Sequence, residues 1–369
     1  MKTNITSIEL RQIVKELKYI EGGRVDKIYH PAKKHLIVQL HSSGKGKVIL
    51  RILVGKIMFR TETKPEAKEP DSFCSYLRKN LAGTRISRFG QLNNERIVFF
   101  EFDNIGKRLY VELFGRGNVI LCDMQDKILG LEEKQAWKDR ELKKDEIYRY
   151  PRKDNDFETT NSEQLKFISE TAEKEIVRII AMDLGLGGSY AEEACSVADV
   201  DKKSMKISDN EAARLVQAIH EIIERKPEPA IVKQKESIID VTLFPLKVYE
   251  GLDFQGMPSY NEALDKIYSE QLTDFEEMEK MEKYSEQVKK AQTVVDEQNK
   301  SIAEMKKKYE LNQKIAEKIY ENYQIVSEIL EELKKAKKKF PLQEINEKLK
   351  GHKIVKRVTK DWKVAVELE

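Results

Sequence analysis

The sequence predicts an α+β protein that carries a long helical extension. Closely spaced β-branched and aromatic runs over roughly the first 150 residues predict strands joined by hairpins, with flanking helices. Apolar residues at helical spacing then predict a block of helices from about 163 to 225. Residues 259–339 contain neither proline nor glycine, and apolar residues recur there every three or four positions, which is typical of a coiled coil.

The first predicted element is a helix over residues 1–20, with Ser7 as its N-cap. Leu10, Ile13 and Leu17 recur at helical spacing, and a Gly-Gly pair ends the helix. The elements predicted from there to residue 123 are strands at 24–30, 35–41, 48–54, 56–61, 85–92, 95–102, 108–114 and 118–123, and a short basic helix at 73–83.

The helical block that follows includes two short helices joined at Gly187-Gly188. The next segment, 231–249, is strand-like, and we expect it to return to the sheet of the first domain. Ser259 then begins a further helix as its N-cap. Glu262 stands three residues later and completes a capping box.

A heptad seam is predicted along the helical extension. Its first positions are Met281, Tyr284, Val288, Ala291, Val295, Gln298, Ile302, Met305 and Tyr309. It continues in a shifted register through Ile315, Ile319, Val326, Ile329 and Leu333. Because an apolar seam needs a partner, the pattern also predicts self-association of this chain. A small strand-bearing piece is predicted at 342–369, at the tip of the extension.

Composition excludes several classes of protein. The 369 residues are 36% charged and 40% hydrophobic, and no window is apolar enough to span a membrane. The N-terminus lacks the apolar core of a secretory signal. Cys74, Cys122 and Cys195 form no CxxC pair, so we expect a reducing cytoplasm rather than disulfides or a zinc knuckle. The net charge of +3 is too small to indicate a nucleic-acid partner by itself.

Motifs of self-contained catalysis are missing from the sequence. It contains no GxxxxGK[ST] phosphate loop, no HExxH zinc motif and no GxSxG nucleophile elbow. We therefore expect no catalytic residue, no metal site and no cofactor.

Two features favour contact with RNA. Gly187 and Gly188 stand at a helix start, where exposed backbone N–H groups bind phosphate, although a simple helix turn would look the same. Basic residues are also interspersed with aromatic ones in the first domain, a pattern that a solvated strand face would equally produce. These residues are Arg78, Lys79, Arg85, Arg88, Phe89, Arg96, Lys107, Arg108, Tyr110 and Arg116.

Seven motifs in a fixed order resemble the NFACT family, the group of bacterial RqcH and eukaryotic nuclear export mediator factor, and suggest an archaeal member. The motifs are ITSIELRQIVKELK, GGRVDKIY, FCSYLRKNLAGTRI, NNERIVFFEF, LYVELFGRGNVILCD, LGLGGSYAEEAC and SYNEALDKIYSE. The resemblance covers essentially the whole chain.

The resemblance implies five segments. They are an NFACT-N domain (1–165), a helix–hairpin–helix domain (166–229), strands returning to NFACT-N (230–262), a coiled-coil arm (263–339) and a partial middle domain (340–369). The first of these looks like the N-terminal fold of formamidopyrimidine-DNA glycosylase. We expect the chain to stop before a returning coiled-coil helix and the RNA-binding NFACT-R domain of the family.

The resemblance also implies a function. Family members recognise stalled large ribosomal subunits that carry peptidyl-tRNA, and they recruit aminoacyl-tRNA, chiefly alanyl-tRNA, for C-terminal tailing of the nascent chain without mRNA. The ribosome makes the peptide bond, so we expect a cytoplasmic binding factor rather than an enzyme. Alternatives are a fibronectin-binding surface adhesin and a glycosylase-like DNA-binding protein. Lys2 stands where the glycosylase chemistry requires proline, which disfavours base excision.

Three family positions implied in tRNA binding match Glu9, Glu95 and Arg96. Both acidic positions are Asp in the family and Glu here, which moves the carboxylate by one methylene. An arginine can stack on an unpaired base or bind it through two donors, and a carboxylate can accept from an exocyclic amine. The alternative is a buried salt bridge that holds the first helix to the sheet.

Overall fold

The computed structural model describes residues 4–63, 69–137, 140–151 and 155–368, with the backbone alone at 270–287 and 289–290. Its contacts divide the chain into two compact units after Asp274. Helices and antiparallel sheets are both present, which confirms the predicted α+β class. None of the described helices has an apolar stretch of the length that crossing a membrane requires.

The first helix, α1, spans Ser7–Glu16, and its N-cap is Thr6 rather than the predicted Ser7. The Thr6 hydroxyl accepts the backbone N–H of Glu9 at 3.4 Å, and the Glu9 carboxylate accepts the N–H of Thr6 at 2.8 Å. These two bonds form a capping box, which satisfies N–H groups that the helix leaves unpaired. Ser7 lies inside the first turn, where its hydroxyl donates to the carbonyl of Asn94.

The first sheet is a four-stranded antiparallel meander in which each strand pairs with the next one in the chain. Its strands are β1 (Arg24–Ala32), β2 (His35–Ser42), β3 (Gly46–Leu53) and β4 (Ile57–Thr61). Valine, isoleucine and leucine make up at least half of β2 and of β3, and most side chains of these strands are buried. The strands predicted in this region are confirmed, with bounds shifted by a few residues.

Helix α2 (Ser72–Leu81) connects the first sheet to the second. Its N-cap is Asp71, whose carboxylate accepts the Cys74 N–H at 2.7 Å. The second sheet is a five-stranded antiparallel meander. Its strands are β5 (Arg88–Gln91), β6 (Ile97–Phe102), β7 (Lys107–Glu112), β8 (Asn118–Asp123) and β9 (Ile128–Leu131). A two-stranded ribbon follows, formed by β10 (Gln135–Ala136) and β11 (Glu141–Leu142).

The helical block also forms as predicted. Its helices are α3 (Ser162–Thr171), α4 (Ile176–Arg178), α5 (Gly188–Ala198) and α6 (Asp209–Glu224). A π-helical turn at Ile179–Asp183 follows α4. The junction predicted at Gly187-Gly188 is confirmed, because Gly187 is the N-cap of α5.

The prediction that segment 231–249 returns to the sheet of the first domain is wrong. The segment contains β12 (Ala230–Gln234) and β13 (Ser237–Thr242), which with β14 (Asp253–Gly256) form a separate three-stranded sheet. β12 pairs with β13 on one edge and with β14 on the other, so that it has no free edge for either larger sheet.

One large apolar core nevertheless includes residues of both larger sheets, the helical block and the third sheet. A smaller second cluster contains Ile128 of β9 and Leu142 of β11. β12 and β13 contribute Ile231 and Val241, and the first turns of helix α7 (Tyr260–Glu321) contribute Tyr260 and Leu264. Burial of these side chains extends the first core past residue 262, where the coiled-coil arm was predicted to begin. The predicted boundaries at 165 and 229 fall inside this unit and remain predictions.

Helix α7 begins as predicted, since the hydroxyl of Ser259 accepts the N–H of Glu262 at 3.1 Å. It ends at Glu321, and helix α8 (Tyr323–Lys337) begins after Asn322. The Asn322 side chain donates to the carbonyl of Lys318 at 3.0 Å. It thereby competes with backbone N–H groups for an acceptor of the helix. The second unit closes with α9 (Leu342–Lys348), β15 (Val355–Val358) and β16 (Val364–Val366), which confirms a strand-bearing piece in this region.

The predicted heptad seam lies largely on solvent-exposed positions of this single chain. Val288, Val295, Ile302 and Met305 are exposed along α7. Two earlier seam residues, Met281 and Tyr284, lie outside the described side chains. Pairing of the seam, with another copy or another helix, therefore remains a prediction.

Candidate nucleic-acid interface

Two groups of residues that the sequence singled out line one cavity. Glu95 and Arg96, in the turn before β6, face a space of about 440 Å³ that Gly187 and Gly188 also line. The start of α1, at Thr6, completes the wall. The fold therefore joins the first helix, the second sheet and the helical block at a single site.

Among the described residues that line this cavity, Arg96 is the cationic one, and it is half-buried. One guanidinium nitrogen, Nη1, donates to the carbonyl of Ile5 at 3.4 Å, and no described carboxylate forms an ion pair with it. Burial lowers the pKa of Arg96, and the charge of the neighbouring Glu95 offsets this only in part. The guanidinium remains charged, with donors available to a ligand.

The start of α5 supplies backbone donors to the same cavity. Gly187 caps the helix without a side chain to accept its first N–H groups. No acceptor for the N–H groups of Gly188 and Ser189 occurs among the described residues. Exposed N–H groups at a helix start, together with the helix dipole, attract anions.

The close approach of α5 to α1 at this cavity depends on Gly187. Its φ of +96° is a backbone conformation that other residues rarely adopt. A Cβ atom at this position would lie 2.2 Å from Cγ2 of Thr6. Only glycine therefore lets the start of α5 approach the start of α1 so closely.

Glu9 does not line this cavity, because its side chain is fully buried behind it. One carboxylate oxygen accepts the Thr6 N–H, and the other accepts the hydroxyl of Tyr190 at 3.0 Å. The Tyr190 hydroxyl in turn accepts the backbone N–H of Leu243 at 2.9 Å. Glu9 thus ties α1 to α5 and to the segment after β13, and direct contact with a ligand would require it to leave these partners.

Three further candidate residues lie elsewhere and line none of this cavity. Arg78 donates from Nε to the carbonyl of Ile28 at 2.7 Å and stacks on Tyr29, so it packs α2 against β1. Lys79 is exposed on α2, and Arg116 is exposed in the turn between β7 and β8.

A larger cleft of about 700 Å³ adjoins the cavity, since Asn94 and Glu95 line both. Arg11 on α1 donates to Asn94 Oδ1 at 2.6 Å and to Glu158 at 3.0 Å. The Asn93 amide donates to the hydroxyl of Tyr150 at 2.6 Å. Carboxylate, amide and phenol oxygens therefore line this cleft, where they can accept from the amino groups of bases.

Sequence reasoning missed this cleft. Arg11, Asn94 and Glu158 are far apart along the chain, and no local motif connects them. A weak signal was available only for Asn94, which immediately precedes Glu95 in a motif already noted.

The fold and the cavity together define an α+β protein with a candidate anion-binding site at a helix start. Comparison with known sequences goes further: the model of the NFACT N-terminal and middle domains matches residues 6–361. The chain therefore belongs to the NFACT family.

Relatives with curated names agree with this family. The chain is 29% identical to the archaeal Rqc2 homolog aRqcH of Methanocaldococcus jannaschii, over 96% of this chain and 55% of that protein. It is 33% identical to the human ribosome quality control complex subunit NEMF, over 36% of this chain and 12% of that one. The chain thus spans about half the length of the archaeal relative and much less of the human one.

Solved structures agree with the fold alone. The N-terminal part of the fibronectin/fibrinogen-binding protein of Streptococcus suis matches with a TM-score of 0.57 and 21% identity, over 72% of this chain and 100% of that one. The fibrinogen-binding protein of Staphylococcus aureus matches with a TM-score of 0.55 and 18% identity, over 71% and 98% of the two chains.

Proposed function

We propose that this protein acts in ribosome-associated quality control, where it binds stalled large ribosomal subunits that carry peptidyl-tRNA and recruits aminoacyl-tRNA, chiefly alanyl-tRNA, for C-terminal tailing. Membership of the NFACT family and the quality-control names of its relatives support this role. In this role the protein is a cytoplasmic binding factor, and the ribosome forms the peptide bonds.

The observation that carries the proposal is the cavity at Arg96. A guanidinium without an ion pair among the described residues faces the same space as the open N–H groups at the start of α5. Both groups favour phosphate, and an arginine can also stack on or bind an unpaired base. Glu95 on the same wall adds an acceptor for a base amine. This combination suits a tRNA loop better than a small anion.

Glu9 has an indirect part in the proposal. Its carboxylate caps α1 and holds Tyr190 of α5, so it fixes the distance between two walls of the cavity. We therefore assign Glu9 as a positioning residue for tRNA binding. The longer side chain at Glu9 and Glu95, relative to the family Asp, affects cavity shape at the first residue and acceptor position at the second.

The finer architecture of the family extends the proposal. The first unit would share the N-terminal fold of formamidopyrimidine-DNA glycosylase, and α3 to α6 would be its helix–hairpin–helix block. The exposed apolar positions on α7 support a coiled-coil arm that reaches along the large subunit. Self-association through this seam would occur where no other helix covers it.

The decisive experiment is co-sedimentation with purified large ribosomal subunits, with and without peptidyl-tRNA. We expect the wild-type chain to migrate preferentially with subunits that carry peptidyl-tRNA, and the double variant E95A/R96A to lose recruited aminoacyl-tRNA. Equal recruitment by wild type and E95A/R96A would contradict the assignment of the cavity.

The matched control is E141A/K143A, which removes an exposed acid–base pair joined at 2.9 Å on the same unit. It should bind as the wild type does.

A fibronectin-binding adhesin is the alternative class. Retention on immobilised fibronectin, together with no binding to either kind of subunit, would favour that class instead.

A further inference from the structure

A third cavity, which we call the basic groove, lies at the other end of α1. It has a volume of about 390 Å³ and is lined by α1 from Ile8 to Lys15, by the last turn of α6 with the segment that follows it, and by Leu243 and Phe244. Its wall holds four cationic side chains and one carboxylate among the described residues. The cations are Arg11, Lys15, Arg225 and Lys226, and the carboxylate is Glu224.

Three of these cations have no ion pair among the described residues. Lys15 and Lys226 are exposed, without a carboxylate partner. Arg225 stacks its guanidinium over the ring of Phe244, with the guanidinium carbon 4.3 Å from the ring centre. Stacking orders the guanidinium while its N–H donors stay available, which is how arginine often meets phosphate or a base.

The basic groove is continuous with the site at Arg96. Arg11 lines both the basic groove and the acceptor-rich cleft, and Glu95 lines both that cleft and the cavity at Arg96. The three spaces therefore follow α1 from its first turn to its last. Cations stand at both ends, and the cleft between them holds acceptor oxygens, two of which already accept from Arg11.

This alternation matches an RNA strand. Phosphates need cations, whereas the amino groups of unpaired bases need acceptors. We infer that the basic groove binds the phosphate backbone of the same RNA that contacts Arg96, so that the strand runs along α1 with its bases over the central cleft. The inference rests on the proposed function and extends it to a second contact.

A purely structural reading of the same cations is available. Lys15 stands in the last turn of α1, and Arg225 is the C-cap of α6. Cations near helix C-termini stabilise the helix dipole by a few tenths of a kcal/mol to about 1 kcal/mol. Under that reading their removal would lower stability and leave RNA binding unchanged.

The test is a salt titration of binding to a fluorescein-labelled RNA stem-loop with an unpaired loop. The variant K15Q/R225Q/K226Q should bind about tenfold more weakly at moderate salt. Its plot of log affinity against log salt should be shallower by about 2, since each lost phosphate contact on a single strand removes about 0.7. Thermal unfolding, measured alongside, separates this effect from loss of fold.

Two controls define the outcome. K47Q/K206Q/K235Q removes three exposed lysines elsewhere on the unit and should keep the wild-type slope. K15R/R225K/K226R keeps the charges and should keep most of the affinity. An unchanged slope in K15Q/R225Q/K226Q overturns the inference, and so does a groove that binds a labelled polyglutamate peptide in preference to the RNA.

The two proposals can fail separately. If the wild-type chain binds neither the stem-loop nor large subunits, the proposed function fails. Suppose instead that the wild type binds both, that E95A/R96A weakens binding and that K15Q/R225Q/K226Q does not. Then only the inference about the basic groove fails.

Discussion

Two arginines associated with the same sheet, Arg96 and Arg108, have opposite surroundings. Arg108 donates to Glu101 at 2.8 Å, to the Tyr110 hydroxyl at 2.9 Å and to Asp126 at 2.9 Å. Arg96 has one long hydrogen bond, to the carbonyl of Ile5, and no ion pair with a described residue. Both are desolvated, but among the described residues Arg108 has several charged and polar partners, whereas Arg96 has the Ile5 carbonyl and the charge of nearby Glu95.

The pKa values of the two guanidinium groups shift in opposite directions because of this difference. Burial lowers the pKa of both guanidinium groups. At Arg108, the hydrogen bonds and charges of Tyr110 and Glu101 outweigh burial and raise the pKa, whereas at Arg96 burial prevails. A basic residue whose partners are internal holds the fold together. One that the fold desolvates without a partner is available to a ligand, so charge alone in the sequence does not separate the two roles.

The largest expected effect on stability is that of Arg108→Ala. Among the described residues, its removal leaves Glu101, whose side chain is 5% exposed, with only the 3.4 Å ion pair to Arg88. Since an uncompensated buried carboxylate is costly, we expect the free energy of unfolding to fall by about 2–3 kcal/mol in urea denaturation. Arg96→Ala should change it by less than about 1 kcal/mol while RNA affinity falls about tenfold.

The comparison would break if the two variants exchanged phenotypes. Substantial unfolding of R96A would place Arg96 among the structural residues. Normal stability of R108A would show that its ion pairs contribute nothing net. Arg108→Lys is a useful intermediate, because it keeps the charge and loses the forked donor geometry.

A second, smaller effect concerns the shape of the Arg96 cavity. Gly187→Ala forces a Cβ into Thr6 and onto a backbone of positive φ, so we expect a loss of about 2 kcal/mol of stability and weaker RNA binding. The matched variant is Gly188→Ala, whose Cβ would meet nothing within 4 Å. It should be neutral or slightly stabilising, because alanine suits a helix better than glycine. Equal stability of the two variants in thermal unfolding would contradict this account.

The smallest expected effect on stability concerns His30, a histidine that lies between two carboxylates and loses its charge as pH rises. Its Nδ1 lies 2.7 Å from Asp71 and its Nε2 lies 3.4 Å from Glu132, which follows β9. Burial lowers the pKa of His30, but Glu132 and Asp71 outweigh burial and raise it. The Lys34 ammonium lies 3.4 Å from Glu132. The stabilisation is thus complete below the unfolded pKa of about 6.5 and is lost as pH rises through the folded pKa.

We therefore expect the stability difference between wild type and His30→Gln to shrink as pH rises above about 6.5, by less than the loss in R108A. Urea denaturation at several pH values measures it. A difference that stays constant over this range would show that His30 is not charged in the folded protein. Because Asp71 and Glu132 have lowered pKa values, their own contribution is lost only at more acidic pH.

Local patterns predicted most of the secondary structure. Alternating and β-branched runs identified the eight strands from β1 to β8, and the Ser259–Glu262 capping box located the start of α7. The same patterns did not predict which strand pairs with which sheet edge. Segment 231–249 is strand-like in isolation, and only the position of β14 decides that β12 is paired on both sides.

The sequence by itself indicated the fold class, most of the elements and Gly187, because each depends on residues near one another along the chain. The resemblance of its ordered motifs to the NFACT family indicated Glu95 and Arg96 as candidate residues. Tertiary structure alone decided that Arg96 has no ion pair among the described residues while Arg108 has two, and that Glu9 is buried against Tyr190, 181 positions away. It also decided that three cavities follow α1. Desolvation and ion pairing depend on which distant side chains the fold brings within a few ångströms, and no local pattern carries that information.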